Sequence, residues 1–189
     1  MSQLMRLVSI NVGRSETLSQ GNRRETTGIC KYPREGSVNV TYGGISGDAI
    51  VDSKHHGGAD QAVYAYSADD YDWWAETTDR DYFPGLFGEN LTIRDMPSDM
   101  RIGDRLLIGA VVLEATAPRI PCATFSMRME DKDWGIAFDR RDRTRFVPPQ
   151  IPPERLSRRT QTLARSAHCS KDAGRDRSPA RERGIGPPK

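Results

Sequence analysis

The chain has 189 residues, of which 36% are hydrophobic and 29% are charged, and its formal net charge is +2. A chain of this length is typical of one folded domain with a substantial core. No apolar run approaches the roughly 18 residues of a membrane span, and the first residues lack the features of a secretory signal. Three widely separated cysteines, Cys30, Cys122 and Cys169, predict neither a disulfide framework nor a structural zinc site. We therefore expect a cytoplasmic protein that does not engage membranes.

The net charge hides a division of the chain near residue 139. Residues 1–139 carry 14 basic and 21 acidic side chains, a net charge of −7, whereas residues 140–189 carry 14 basic and 5 acidic side chains, a net charge of +9. The second segment holds 12 Arg and 7 Pro residues, a composition typical of disorder. We predict a folded domain over 1–139 and a basic, disordered tail over 140–189. Because the excess positive charge lies in the tail, the domain is not predicted to bind nucleic acid specifically.

Short segments in which apolar and polar residues alternate, each ending at Gly, Pro or Asp, predict a mainly β domain. The simplest such fold is a β-rich barrel with a few short helices. The predicted strands, in chain order, are 4–12, 37–42, 61–66, 102–108 and 110–116. The last two segments flank a single glycine, so we expect them to be antiparallel neighbours.

Two helical segments are also predicted. Ser67 is a suitable N-cap and Asp70 occupies the capping-box position three residues later, so a helix is expected to end near Thr77. A second helical stretch with an apolar face is predicted over 123–138, and Gly135 could break it.

A polar, glycine-rich loop is the first candidate site. It contains Lys54, His55, His56, Gly57 and Gly58. Adjacent side chains on an extended chain point to opposite faces, so at most one His is expected to face a site, and a metal ion shared by both is not predicted. The glycines allow backbone N–H groups to turn toward an anion, and Lys54 adds positive charge. The alternative is an ordinary surface loop with turn glycines.

The segment 84–92 (PGLFGENLT) is the second candidate site. Glu89 and Asn90 occupy the positions at which a loop becomes a strand. Asn both donates and accepts hydrogen bonds and Glu accepts them, so the pair could recognise the edge of a heterocycle. The alternative is that both side chains bond to nearby backbone.

The segment 117–124 (APRIPCAT) is the third candidate site. Cys122 follows a predicted strand, lies three residues after Arg119 and precedes a predicted helix. A nearby guanidinium can lower the pKa of a thiol, and a thiolate suits a molybdenum, iron or copper centre, or a persulfide. The alternative is a buried cysteine that acts as a small hydrophobic residue.

Four segments in register resemble the MOSC domain family, named for the C-terminal domain of molybdenum cofactor sulfurases. They are GDAIVDSKHHGGADQAVYAY, PGLFGENLT, IGDRLLIG and PRIPCATF. The resemblance covers roughly residues 4–139 and is greatest to the small stand-alone bacterial branch that includes hydroxylaminopurine-resistance proteins. It implies a β-rich barrel with a few helices.

The resemblance implies a molybdenum cofactor of the molybdopterin type, with Cys122 as the catalytic residue and as the protein ligand to molybdenum or the carrier of sulfur. It places cofactor phosphate or an oxyanion at the loop from Lys54 to Gly58, including His55 and His56, with Asn90 and Arg119 lining the cleft. The family is also associated with pyridoxal phosphate binding. Its members are similar to reductases that act on small N-hydroxylated bases and amidoximes. This chain has no flavin or iron–sulfur motif, so such a reductase would need an external electron-donor protein.

The chain departs from the family pattern at about Arg140. Family members continue into a glycine-proline turn and further strands, whereas this chain continues with RRDRTRFVPPQIPPERLSRRTQ. A natural disordered tail and translation of the gene in the wrong reading frame would both produce a segment of this composition. Besides the reductase, two functions therefore stay open: a non-catalytic carrier of cofactor or of persulfide sulfur, and a truncated, inactive member of the family.

Overall fold

The computed structural model describes residues 5–54, 56–58, 60–140, 146–147, 161–163 and 168–170. Strands predominate over helices in this part of the chain, which confirms the mainly β prediction. No helix among these residues is long and apolar enough to cross a membrane. The strands are β1 (Met5–Gly13), β2 (Glu16–Gln20), β3 (Arg23–Thr27), β4 (Lys31–Pro33), β5 (Val38–Thr41), β6 (Gly44–Ile45), β7 (Ala65–Ser67), β8 (Leu91–Arg94), β9 (Arg105–Ile108), β10 (Val111–Glu114), β11 (Ala117–Pro118), β12 (Phe146–Val147), β13 (Gln161–Leu163) and β14 (His168–Ser170); the helices are α1 (Ala68–Thr77), α2 (Ala123–Arg128) and α3 (Trp134–Arg140).

The main sheet contains seven strands in the order β10-β9-β14-β1-β8-β7, with β4 paired to the end of β1. All of its pairs are antiparallel except β7 and β8, which are parallel and are joined through α1. A parallel pair needs such a crossover because a tight hairpin cannot connect it. Among the described residues, the pairings do not join β10 to β7, and so do not by themselves close a barrel.

Two apolar clusters hold the elements together. The first covers the main sheet and contains alternate residues of β1, β8, β9 and β10. The second is largely aromatic and joins the three helices to the sheet. At its centre Phe87, 1% exposed, packs its ring 4.8 Å from that of Tyr71, 5.2 Å from that of Phe138 and 5.4 Å from that of Phe125. This cluster fixes α2, the helix that begins directly after Cys122.

The structure confirms the predicted helix start and the predicted strand pair. The Ser67 hydroxyl accepts hydrogen bonds from the backbone N–H groups of Asp69 and Asp70, and α1 ends at Thr77. A capping hydroxyl satisfies donors that the first turn otherwise leaves unpaired. Strands β9 and β10 are antiparallel neighbours on either side of Gly109.

The helical prediction over 123–138 needs a correction, because the break lies between α2 and α3 rather than at Gly135. Glu130 adopts a left-handed backbone conformation with φ of 55°, which ends α2. The Asp131 carboxylate then accepts a hydrogen bond from the Asp133 N–H, a local turn that starts α3. Gly135 lies inside α3.

The predicted strand 61–66 is shorter in the structure, where β7 begins only at Ala65. Tyr64 precedes the strand but bonds to the start of β8: its N–H donates to the Asn90 side-chain oxygen, and its carbonyl accepts from the N–H groups of Asn90 and Leu91. The side chain of Asn90 thus replaces one rung of the sheet at the point where the candidate site lies.

Three short strands lie within the segment that the sequence assigned to a disordered tail. Strand β12 pairs with β11, β13 pairs with β5, and β14 lies between β1 and β9 in the main sheet. Strands of two or three residues are too short to show alternation in a sequence. For the remaining tail residues the prediction of disorder lies outside the described part of the chain.

Candidate functional site

A cleft opens beside the N-terminus of α2. Its walls come from three parts of the described chain, which are residues 25–29, residues 48–52 and residues 119–124, and His56, Tyr64 and Asn90 also line it. The empty space of the cleft is about 740 Å³ when the open solvent at its mouth is included.

Cys122, His56 and Arg119 meet in this cleft. Arg119 Nη1 lies 2.8 Å from His56 Nδ1. A guanidinium can only donate, so Nδ1 accepts, and the proton of the neutral imidazole is on Nε2. His56 in turn forms a hydrogen bond with the Cys122 side chain. The three side chains therefore form a chain of hydrogen bonds that ends at the sulfur atom.

This arrangement activates the thiol. Burial acts to raise the pKa of Cys122, but the hydrogen bonds from His56 and from the Phe125 backbone, together with the charge of Arg119, lower it to about 7. By contrast, burial raises the pKa of the Cys30 thiol, which lies in the core. Cys122 is therefore partly ionised near neutral pH, and the thiolate is the form of a cysteine that acts as a nucleophile or a metal ligand.

Local sequence explains how these side chains are placed. The prolines at 118 and 121 restrict the backbone on both sides of Arg119, and Cys122 is the extended N-cap residue of α2. On the opposite wall, a turn closes with a 2.9 Å hydrogen bond from the His56 N–H to the Asp52 carbonyl. A Cβ at Gly57 would lie 2.8 Å from the Ser53 Cα, so the turn is too tight for any other residue.

A buried ion pair forms the inner part of the cleft. Lys31 Nζ lies 2.5 Å from both carboxylate oxygens of Asp48, and the two side chains are only 8% and 2% exposed. Asp48 also accepts hydrogen bonds from the Gly13 N–H, at 2.7 Å, and from Asn90 Nδ2, at 2.8 Å. Burial lowers the pKa of Lys31, while the Asp48 charge opposes that change.

Glu89 lies next to this pair but is completely buried. Its carboxylate accepts hydrogen bonds from the Gly85 N–H at 2.6 Å, the Thr92 hydroxyl at 2.8 Å and the Tyr71 hydroxyl at 2.9 Å. Burial raises the pKa of Glu89 to about 7, although the bonds from Gly85, Thr92 and Tyr71 act in the opposite direction. Glu89 thus points away from the cleft while its neighbour Asn90 lines it.

The structure brings together four of the residues that the sequence singled out. His56, Asn90, Arg119 and Cys122 all line the cleft. The other residues of the glycine-rich loop lie elsewhere: Lys54 and Gly58 are exposed, Gly57 is half-buried, and none of the three lines the cleft, whereas His55 lies outside the described residues.

Sequence reasoning missed the Lys31–Asp48 pair. Asp48 stood at the start of the first candidate segment but received no role, and Lys31 was not selected. A lysine and an aspartate 17 positions apart carry no pattern that distinguishes a buried pair from two exposed charges. The available signal was Lys31 itself, which follows the apolar residues Ile29 and Cys30 at the start of a short strand.

The residues of the cleft fit the cofactor that the sequence resemblance implies. A metal held by an organic cofactor needs only one soft ligand from the protein, and the Cys122 thiolate can supply it. Lys31 and Arg119 provide cationic donors in the same cleft for an anionic group. Among the described residues, no group of three or more His, Cys, Asp or Glu side chains could hold a bare metal ion.

Comparisons with known proteins agree on one family. The MOSC domain model matches residues 52–151. The uncharacterized protein YflK of Bacillus subtilis is 30% identical over 152 residues, which cover 80% of this chain and 69% of YflK. The protein YiiM of Escherichia coli is 24% identical over 154 residues, which cover 79% of this chain and 67% of YiiM.

Solved structures share the fold. The crystal structure of YiiM from Geobacillus stearothermophilus superposes with a TM-score of 0.67 at 24% identity, over 88% of this chain and 74% of that chain. The crystal structure of YiiM from Escherichia coli superposes with a TM-score of 0.64 at 17% identity, over 89% of this chain and 69% of that chain. At these identities the superpositions establish the fold alone.

Proposed function

Since this chain belongs to the MOSC domain family, we propose that its cleft binds a molybdenum cofactor of the molybdopterin type through Cys122. We further propose that the loaded protein reduces small N-hydroxylated bases or related N-oxygenated compounds. Removing the oxygen as water consumes two electrons and two protons, and the electrons would come from an external donor protein.

The observation that carries this proposal is the position of Cys122 at the end of the hydrogen-bond chain from Arg119 through His56. A structural cysteine needs neither a lowered pKa nor access to a cleft. When bound, the cofactor would supply a metal centre that accepts oxygen from nitrogen. The residues of the chain would do the rest: Cys122 holds the metal, His56 and Arg119 keep the sulfur ionised, and Lys31 offers a buried positive charge to an anionic group.

The second candidate is a carrier that holds cofactor or persulfide sulfur without turnover. The same observation favours it, because a thiolate at neutral pH is also the nucleophile that attacks the outer sulfur of a donor persulfide, which leaves the donor as a thiolate. The two candidates differ in whether an N-hydroxylated compound is reduced.

The test begins with molybdenum and pterin content. The full chain is produced in a host that makes the cofactor, beside Cys122→Ser and the control Cys30→Ala, whose thiol lies in the core. Stoichiometric metal and pterin are expected in the wild type and the control, and little in Cys122→Ser. Equal loading of all three proteins would remove Cys122 as the ligand.

The loaded wild type is then reduced chemically and given an N-hydroxylated purine. Formation of the amine supports the reductase. Cofactor binding without amine formation supports the carrier, and absence of cofactor with a persulfide on Cys122 supports a carrier of sulfur.

A further inference from the structure

A carboxyl group with no contact to the cleft lies directly behind it. Glu89 has no solvent-exposed surface and accepts three hydrogen bonds, from α1 through Tyr71, from the loop before β8 through Gly85, and from β8 through Thr92. Its own carbonyl accepts a bond from the Asn11 side chain of β1 at 3.2 Å. Glu89 thus joins a helix, a loop and two strands at a single point.

The backbone of Glu89 leads straight into the cleft wall. The next residue, Asn90, donates to Asp48 at 2.8 Å and accepts from the Tyr64 N–H at 3.0 Å. Asp48 in turn holds Lys31. A change in the charge of the Glu89 carboxylate can therefore affect the cleft in two ways. It can shift Asn90 through the peptide bond between them, and it can change the electrostatic potential at Lys31.

Within the described part of the chain, the Glu89 carboxylate interacts with the charge of Lys31, but Lys31 is already paired with Asp48. The titratable groups that act on it are Tyr71 of α1, which donates to its carboxylate and is itself affected by Tyr64, and Lys31 of β4, whose charge interacts with both Glu89 and Asp48. Gly85 and Thr92 contribute only neutral donors. One buried lysine thus interacts electrostatically with two carboxylates.

We propose that Glu89 is a positioning residue of the cleft whose charge sets the affinity of the cleft for anions. With Glu89 protonated, the buried group of Glu89, Lys31 and Asp48 is neutral and Asn90 keeps its place. With Glu89 ionised, the group carries one net negative charge, which repels an anion that approaches Lys31 and Arg119. The cleft therefore binds anions more tightly in the protonated state.

The raised pKa of Glu89, about 7, determines the pH at which the anion affinity of the cleft changes. The anion affinity should decrease as the pH rises through neutrality. The inference uses the cleft of the proposed function but neither its metal nor its reaction, so it can fail or succeed independently of them.

Sulfate is the probe, because it remains a dianion over this range of pH. Its affinity for the cofactor-free full chain is measured by how far it slows alkylation of Cys122 by iodoacetamide, followed by peptide mass spectrometry at about pH 6 and about pH 8. The proteins are the wild type, Glu89→Gln, and the control Glu114→Gln, whose carboxylate pairs with Arg105 on the neighbouring strand β9 and does not line the cleft. Cys122 is present in all three proteins, so the effect of its own ionisation cancels in the comparison.

For each protein, the measured quantity is the ratio of its sulfate affinity at about pH 6 to that at about pH 8. This ratio should be roughly threefold or more larger in the wild type and in Glu114→Gln than in Glu89→Gln, an order-of-magnitude figure for one buried charge. Equal losses in all three proteins, or absence of sulfate binding at both pH values, would overturn the proposal.

A second variant guards against failure of Glu89→Gln to fold. Tyr71→Phe removes one donor to the Glu89 carboxylate, so it should move the midpoint of the affinity change to higher pH by roughly half a unit or more. An unchanged midpoint in this variant would also contradict the proposal.

Discussion

Arg119 Nη1 lies 2.8 Å from His56 Nδ1, although 63 residues separate the two along the chain. This contact fixes both the ring orientation and the tautomer of His56, because the guanidinium occupies the only acceptor of the neutral imidazole. Arg119 also lies 5.5 Å from the centre of the Tyr64 ring, which holds the guanidinium from its other side. Arg119, three positions before the reactive cysteine, thus organises the site.

Replacing His56 by Gln should reduce the reactivity of Cys122. The hydrogen bond from His56 favours the thiolate, so its loss should raise the Cys122 pKa from about 7 by roughly one unit. The measurement is the rate of Cys122 alkylation by iodoacetamide as a function of pH, read by peptide mass spectrometry. Cys30 serves as an internal control, because it is 1% exposed and should stay unreactive. An unchanged midpoint would show that His56 does not act on the thiol.

The Lys31–Asp48 pair should show strong coupling in a double-mutant cycle. Lys31→Met leaves the Asp48 carboxylate buried without its cation and should cost about 3–5 kcal/mol in the free energy of unfolding. Adding Asp48→Asn removes the remaining charge, so the double variant should be more stable than Lys31→Met alone. Urea unfolding at neutral pH measures these values. Additive costs for the two substitutions would contradict the buried ion pair.

Glu89 should make the stability of the chain depend on pH. The native state holds the Glu89 proton up to about pH 7, whereas the unfolded chain releases it near the ordinary value of 4.5. Because the native state binds more protons between these values, the free energy of unfolding contributed by this group falls as pH rises from 4.5 to about 7 and is constant above.

Glu89→Gln should flatten this part of the stability profile by an amount on the order of 3 kcal/mol. Thermal or urea unfolding at several pH values gives the comparison. Glu76→Gln, at an exposed position of α1, is the matched control and should follow the wild type. A Glu89→Gln profile parallel to the wild type would mean that Glu89 is already ionised in the native state at acid pH.

The parts of the site that the sequence predicted are those set by local spacing. Arg119 lies between two prolines and Cys122 directly follows the second of them, and the N-cap of α1 is a serine followed by acidic residues in the first turn. In each case the residues that determine the local structure lie within about four positions of one another, so the sequence alone reveals them. The sequence did not choose between the two histidines: it predicted that at most one of them faces the site, His56 lines the cleft, and His55 lies outside the described residues.

The parts that the sequence did not predict depend on pairings between distant segments. Lys31 is buried only because the carboxylate of Asp48, which follows β6, forms an ion pair with it. Asn90 lines the cleft because its side-chain oxygen accepts the Tyr64 N–H in place of a strand carbonyl. The same limit explains Lys54, which has the right charge and neighbours but points to solvent. Local composition does not tell which lysine faces inward.

Gly57→Ala should disturb the thiol although it lies outside the cleft lining. The added Cβ would meet the Ser53 Cα at 2.8 Å and its carbonyl oxygen at 2.9 Å, which are backbone atoms that cannot rotate away. The turn must therefore open, and His56, the next residue back, must move from Arg119 and Cys122. The expected results are a higher Cys122 pKa in the alkylation assay and a loss of unfolding free energy of about 1–3 kcal/mol.

Gly43→Ala is the matched control, because a Cβ there meets only the Thr41 hydroxyl at 3.7 Å, so both readouts should stay at wild-type values. A normal thiol pKa in Gly57→Ala would mean that His56 keeps its position without the tight turn, and the local explanation for its placement would be wrong.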